Sequence, residues 1–221
     1  MESETKRRLV EAGLLLFGLH GLEATTTRAL AQKAGVNLAA IPYHFGGKEG
    51  LYRAVLEHIV RIKLKEIAPC LERLRAVCDT PATGREELLQ SLREVVRILV
   101  LALLDSPESR SCAQIILQEQ IAPTAGFGIV HDQFLVQIHT ALGDLLGRLL
   151  DLPAGSLELY LHTMSFMGQM FIFRVGMPSL LALVGSDRLS EAQVMAIVAV
   201  CVRQAEALVA GFGPTPRGSG L

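Results

Sequence analysis

Tryptophan is absent, and the aromatic share of this chain is only 5%. A core must therefore be filled by Leu, Ala and Val, a composition that favours packed helices. Strand-like alternation of apolar and polar residues is scarce. Cysteine is sparse too: Cys70, Cys78, Cys112 and Cys201 show no C-x-x-C spacing, so neither a metal cluster nor a disulfide framework is indicated. His131, Asp132 and His139 lie too far apart for an i, i+4 metal pair. No cofactor is expected. The chain holds no G-x-S-x-G, no H-E-x-x-H and no phosphate-binding glycine loop, so an enzyme is not expected either. Its start, Glu2 to Arg8, is charged and has no signal-peptide apolar region. The most apolar stretch, 157–173, includes Glu158, His162 and Gln169, and so predicts a buried helix of a large domain in preference to a membrane span. A cytoplasmic protein with no membrane partner is the expectation.

What is present is hydrophobic bulk and a skewed charge. Half of the 221 residues are hydrophobic, enough for a substantial core in one or two domains. The net charge is −1. Residues 1–66 carry ten Lys/Arg against seven Asp/Glu, a net +3, and the remainder carries eleven against fifteen, a net −4. The positive end is where a polyanion would be met.

Periodicity predicts helices throughout. The first spans 4–20, with Leu9, Ala12, Leu15, Leu16 and Leu19 on its apolar face and Gly21 as its stop. Lys6, Arg7 and Arg8 form a solvated face at its start. A long helix from Lys48 to about Arg75 carries Leu51, Val55, Ile59, Ile62 and Ile67, with Pro69 as a possible kink. Residues 79–84 form a loop, and helices follow at about 84–104, 108–121, 127–150, 155–175 and 189–212, bounded by Pro107, Pro123, Pro153 and Pro178. Residues 213–221 are expected to be a disordered tail.

Residues 26–48, TTRALAQKAGVNLAAIPYHFGGK, organise the rest. Thr26 is suited to cap a short helix with Leu30, Ala31 and Ala34 on its apolar stripe. Gly35 offers the positive φ of a reversal. Asn37 is suited to cap a second helix, Leu38 to about His44, which Gly46-Gly47 ends. Helix, glycine turn and helix make a helix-turn-helix, whose second helix enters the DNA major groove. The order Thr26, Ala31, Ala34-Gly35-Val36, Ile41, Tyr43-His44-Phe45, Lys48, Leu51 resembles the N-terminal domain of TetR-like transcriptional regulators. The run VNLAA followed by YHFG resembles their CecR-like branch, whose members are linked to control of export and drug tolerance.

The resemblance implies an all-α protein. A three-helix helix-turn-helix DNA-binding domain would cover 1–47, and a larger helical ligand-binding and dimerisation domain 48–212. It implies base contacts from Leu38, Ala39, Ala40 and Pro42, just after the second helix's cap Asn37. All four are apolar, so they would meet thymine methyl groups, with Tyr43 and His44 on phosphates. Arg28 is a candidate for bidentate guanine contact or for a phosphate clamp. Thr26, Thr27 and Lys48 would hold phosphates of a double-stranded DNA operator. Pro42 stands where the family commonly has tyrosine. It removes a helical N–H, which predicts a short or distorted recognition helix.

The larger domain carries polar groups inside apolar patterns. Gln114, Gln118, Glu119, His131, His139, His162, Gln169 and Arg174 are candidates to contact a small-molecule effector. Met167, Met170 and Phe173 lie near the last of these, and Met reshapes readily around different ligands. Residues 155–175 and 189–212 resemble the helix pair that joins two chains in the family. This assigns a homodimer interface to Val194, Val198, Cys201, Val202 and Ala205. The function implied is a homodimeric repressor released from its operator by a small molecule. The alternative is a DNA-bound adaptor whose larger domain holds a protein partner.

Overall fold

The computed structural model describes residues 4–104 and 107–212, and all regular structure among them is helical. The expected tail at 213–221 lies outside the described residues. The elements are α1 (Glu4–Ala24), α2 (Thr27–Ala34), α3 (Ala40–Phe45), α4 (Lys48–Asp79), α5 (Arg85–Leu104), α6 (Pro107–Ile121), α7 (Phe127–Val130), a π-helical turn (His131–Leu135), α8 (Val136–Leu150), α9 (Leu157–Val175), α10 (Met177–Val184) and α11 (Glu191–Phe212).

Two compact units emerge. The first holds residues up to Glu66 together with a later segment ending at Val136. Its core joins Leu9, Val10, Leu14 and Phe17 of α1 to Leu51, Val55, Leu56 and Ile59 of α4. Gly13 lets the two helices touch, since a Cβ there would stand 2.7 Å from a Val55 methyl. Phe17 meets Tyr52 edge to face at 5.0 Å between ring centres. The buried stripe of α1 is thus turned by about one position from the expected one, and Leu15 and Leu19 are exposed. Gly21 breaks α1 as expected, at φ 78° and ψ 174°, a conformation open only to glycine. Buried Thr25 secures that break by donating to the Gly21 carbonyl at 2.7 Å and the Leu16 carbonyl at 3.2 Å.

The segment α6–α7 belongs to this first unit. Helix α6 lies along α1, and Ser111 packs within 3.3 Å of where a Gly18 side chain would begin. The compact units therefore divide the chain differently from the boundary expected at 47/48, because α4 runs on through both and α6 returns to the first.

The second unit holds residues from Ile67 to the end of α5 and from Gln137 onward. Helices α5 and α11 form its most extensive pair, and α9 packs on both. Arg93 bridges α5 to Glu206 of α11 at 2.6 Å. Arg148, near the end of α8, donates to the carbonyls of Val77, Cys78, Thr80 and Thr83 at 2.9–3.1 Å, which holds the last turn of α4 and the following loop. Those carbonyls have no intrahelical partner, and a guanidinium is well shaped to satisfy several at once.

Candidate DNA-reading head and effector domain

The head is built from local chemistry. Thr26 caps α2 in extended conformation, its hydroxyl accepting from Ala29 N at 3.1 Å. Gly35 closes α2 at φ 63°, and its N–H reaches the Ala31 and Gln32 carbonyls. Arg8 of α1 donates to the Gly35 carbonyl at 3.3 Å and so pins the turn to the first helix. Arg7 is occupied otherwise, bridged to Glu4 and Glu11 at 2.6 Å each. Ile41 is fully buried and anchors α3 from beneath.

The start of α3 corrects one expectation. Asn37 Oδ1 accepts from Ala39 N at 2.9 Å, so it organises a turn ahead of the helix and the helix proper begins at Ala40. Pro42 is the reason. A proline is harmless only where its missing N–H would lack a partner anyway, in the first helical turn. The chain obliges by making tight i→i+3 turns first: Ala40 N to Asn37 O at 2.9 Å and Ile41 N to Leu38 O at 3.3 Å. The helix that results has six residues, short as expected.

None of Thr26, Thr27, Arg28, Asn37, Leu38, Ala39, Ala40, Pro42, Tyr43, His44 and Lys48 is buried, and Tyr43 is 84% exposed. Lys48 has a second occupation that sequence did not reveal. Its ammonium donates to the Leu22 and Glu23 carbonyls at 3.0 and 3.4 Å, closing the end of α1 against the start of α4.

Behind the head lies a buried polar knot. Glu119 of α6 has no exposed surface, yet it accepts from Tyr52 OH at 2.6 Å, Thr124 Oγ1 at 2.9 Å and Thr124 N at 3.1 Å. Burial first, then the hydrogen bond to Glu119 and its charge, push the Tyr52 phenol far above its usual range, so it stays a donor. Glu119 was expected among effector contacts. It instead binds α6 and the loop after it to α4. Nearby, Lys63 of α4 is buried and donates to Glu66 at 2.7 Å and Ser109 Oγ at 2.9 Å.

The nine residues expected to line one effector pocket fall in different units. Gln114, Gln118 and His131 belong to the first; His162, Met167, Gln169, Met170, Phe173 and Arg174 belong to α9 of the second. Met167 and Met170 are buried, whereas His162 is half-buried and its ring meets Phe212 at 5.0 Å. His131 stacks on Phe127 at 5.1 Å and bonds Asp132 at 2.8 Å. Gln118 Oε1 is buried and accepts no hydrogen bond among the described residues. Two open clefts mark the surface, one of about 520 Å³ beside Arg7, Glu11, His58 and Arg61, the other of about 420 Å³ beside Cys78, Asp144, Arg148 and Asp151. Neither is lined by any of the nine.

The helices expected to join two chains show their faces clearly. Val198, Cys201 and Ala205 are buried inside the second unit, where α11 packs on α5, and Val194 and Val202 are half-buried. Val198, Cys201 and Ala205 thus belong to the protomer's own core, which corrects their assignment to the dimer interface, whereas Val194 and Val202 keep part of their surface free. The outward face of α11 carries Ala192, Met195, Ala196, Ala199 and Ala207. Helix α9 likewise buries only one side, through Leu159, Thr163, Phe166, Met167 and Met170. Its other side exposes Leu157, Leu161, Met164, Ile172 and Val175 around Gly168.

Comparison with known proteins settles the family. Residues 9–55 match the family of bacterial regulatory proteins named for tetR, and residues 88–212 match the C-terminal domain of the HTH-type transcriptional dual regulator CecR. The CecR of Shigella flexneri is 32% identical over 186 residues, 82% of this chain and 81% of that one. This chain belongs to the TetR family, in its CecR branch. The regulator SrpR of Pseudomonas putida is 28% identical over 149 residues, 63% of this chain and 60% of its own. A TetR-like regulator from Rhodococcus sp. RHA1 shares the fold, with a TM-score of 0.61 at 15% identity, covering 94% of this chain and 96% of that one.

As a TetR-family member the chain is a DNA-binding transcriptional regulator and not an enzyme. The first family match ends within α4, and the CecR match begins within α5. Segment 107–136 thus lies inside the CecR C-terminal match yet packs with the TetR head.

Proposed function

We propose that the chain is a homodimeric repressor, acting in the cytoplasm, that leaves its double-stranded DNA operator when a small molecule binds. Residues 1–47 read DNA, and 48–212 sense the effector and join the two chains. One observation carries the reading: an exposed α2–turn–α3 surface whose tip offers Leu38, Ala39, Ala40, Pro42 and Tyr43, backed by a buried Ile41 that holds it rigid. Thr26, Thr27, Arg28, Asn37, His44 and Lys48 complete that surface, with Lys48 using its remaining N–H on a phosphate.

The candidate effector contacts are Gln114 and Gln118 of α6, His131 of the π-helical turn, and His162, Met167, Gln169, Met170, Phe173 and Arg174 of α9. The unsatisfied Gln118 Oε1 supports an outside donor at α6, because a buried acceptor without a partner is costly. The dimer contact is the outward apolar side of α9 and α11. Gly168 and the alanines of α11 allow close approach, and a two-fold pair presents the same patch from both chains. Helix α11 is long and apolar enough to cross a membrane, but it carries Arg203 and Glu206 and packs on α5, which supports its place in a helical bundle. Control of export or drug tolerance is the regulatory role the CecR likeness supports.

The test is to recover genomic fragments with the purified protein, then to screen compounds for release of the recovered DNA. Specific recovery of a palindromic site followed by release with one compound class supports the reading. Retention of random fragments alone, lost with salt alone, overturns it.

A further inference from the structure

Arg7 and Arg8 stand side by side in α1, and the structure gives them opposite fates. Glu4 and Glu11 hold the Arg7 guanidinium at 2.6 Å each, so its charge is spent locally. Arg8 is exposed and has no carboxylate within ion-pair distance among the described residues. Its Nη2 instead donates to the Gly35 carbonyl at 3.3 Å, across 27 positions of sequence. Glycine is what admits it. A Cβ on residue 35 would stand 2.4 Å from Arg8 Nη2, so any side chain there would push the guanidinium away. The same glycine closes α2 at φ 63° and spends its N–H on the Ala31 and Gln32 carbonyls.

The result is a positive charge held at the turn between α2 and α3. The turn runs directly into Leu38 and Ala39, where the candidate reading surface begins. That surface brings no formal charge of its own, because Ala34 to Gly47 holds no Lys, Arg, Asp or Glu. A duplex presents about one phosphate charge per 1.7 Å of helix axis, so an element that enters its groove needs cations on the rim. Arg8 suits that place. Its planar guanidinium can bond one carbonyl and still offer N–H groups to a phosphate. The bond to Gly35 also orders the side chain beforehand, which lowers the entropy lost on contact.

We propose that Arg8 is a DNA-contacting residue contributed by α1, donating to a backbone phosphate beside α3 while it holds the α2–α3 turn. The inference rests on α2–α3 as the reading surface and adds a residue from outside the helix-turn-helix. The test is a salt series on a genomic fragment that the wild type retains, read by fluorescence anisotropy. It compares wild type, Arg8→Gln, Arg28→Ala and Arg97→Gln, with circular dichroism confirming that each is folded. Arg97 is exposed on α5, outside the head, and controls for net charge alone. Loss of one phosphate contact lowers the slope of log affinity against log salt by about 0.9 for each bound head and, near ~0.1 M salt, the affinity by roughly tenfold. Arg8→Gln should show both losses, and Arg97→Gln should match wild type. If Arg8→Gln weakens binding at an unchanged slope, Arg8 only shapes the turn and the phosphate contact is overturned. If Arg8→Gln binds as wild type does while Arg28→Ala is weakened, Arg8 is no DNA contact and the α2–α3 reading stands. If neither variant differs from wild type, the reading surface lies elsewhere and this inference falls with it. If Arg97→Gln lowers the slope as much as Arg8→Gln, net charge alone accounts for the effect and the proposal fails.

Discussion

Buried Glu119 draws its stability from the donors around it. Among the described residues these are Tyr52 OH, Thr124 Oγ1 and Thr124 N, and Tyr52 supplies the shortest at 2.6 Å. Tyr52→Phe keeps the ring against Phe17 and removes only that donor. Hydrogen bonds to charged groups are worth about 1.5–3 kcal/mol, so the variant should lose about that much in urea unfolding. A loss within measurement error would mean that Glu119 does not depend on Tyr52. Cys78 makes a second residue-scale case. Burial first, then Asp144 and Asp79, push its thiol up to about 11, with Arg148 opposing. A raised thiol pKa means less thiolate at neutral pH. Alkylation at Cys78, followed by peptide mapping, should therefore climb about tenfold per pH unit from pH ~7.5 to ~9.5 without the bend that an ordinary thiol shows near ~8.5. A plateau there would show an unperturbed thiol. Glu119 also shows why residue roles resisted sequence. A carboxylate inside an apolar pattern is legible as unusual, but its partner Tyr52 lies 67 residues away, and only the folded chain brings them together.

At the scale of elements, sequence was most informative where a rule is local. The cap at Thr26, the turn at Gly35, the break at Gly21 and the span of α5 follow from a few adjacent residues, and the structure places them where expected. Rules that need a partner surface fared worse. Leu15 and Leu19 match a helical stripe as well as Leu14 and Phe17 do, and only the position of α4 decides between them. Val198 and Cys201 were apolar enough for an interface, but α5 already covers them. Helix α10 is shorter than a periodic window can resolve. Long-range capping was equally hidden, as Arg148 shows. Its guanidinium holds carbonyls of a helix end some seventy residues earlier. Arg148→Ala would take the donor from the Cys78 and Thr83 carbonyls, while Val77 and Thr80 still accept from Thr83, and should cost roughly 1–3 kcal/mol in thermal or urea unfolding. Arg148→Lys should recover only part, since an ammonium cannot span the same fan of acceptors. Full recovery by lysine would mean that charge alone matters at this helix end.

For the whole molecule, the question is how the proposed dimer, with so apolar a candidate recognition surface, would tell one DNA site from another. Leu38, Ala39, Ala40 and Pro42 present no donor or acceptor, and apolar side chains discriminate thymine by its methyl group. Two such heads should favour palindromic half-sites rich in thymine on the strand facing α3, with centres about 34–36 Å apart or a multiple of that spacing. Arg28, exposed in the first turn of α2, would then be the main source of hydrogen-bonded readout. Its loss should cost roughly 1–3 kcal/mol and relax preference at one guanine, where a phosphate clamp would instead weaken all sequences alike. The methyl contacts have a cleaner test, because uracil pairs like thymine and lacks only the methyl. Operator synthesised with uracil at the half-site thymines should bind more weakly than the parent at fixed salt, while binding to random DNA of matched length is unchanged. The salt dependence should be the same for both operators, since no phosphate contact has been altered. Equal affinity for the uracil and thymine operators would mean that α3 recognises DNA shape, and that the apolar tip serves to let the backbone approach closely.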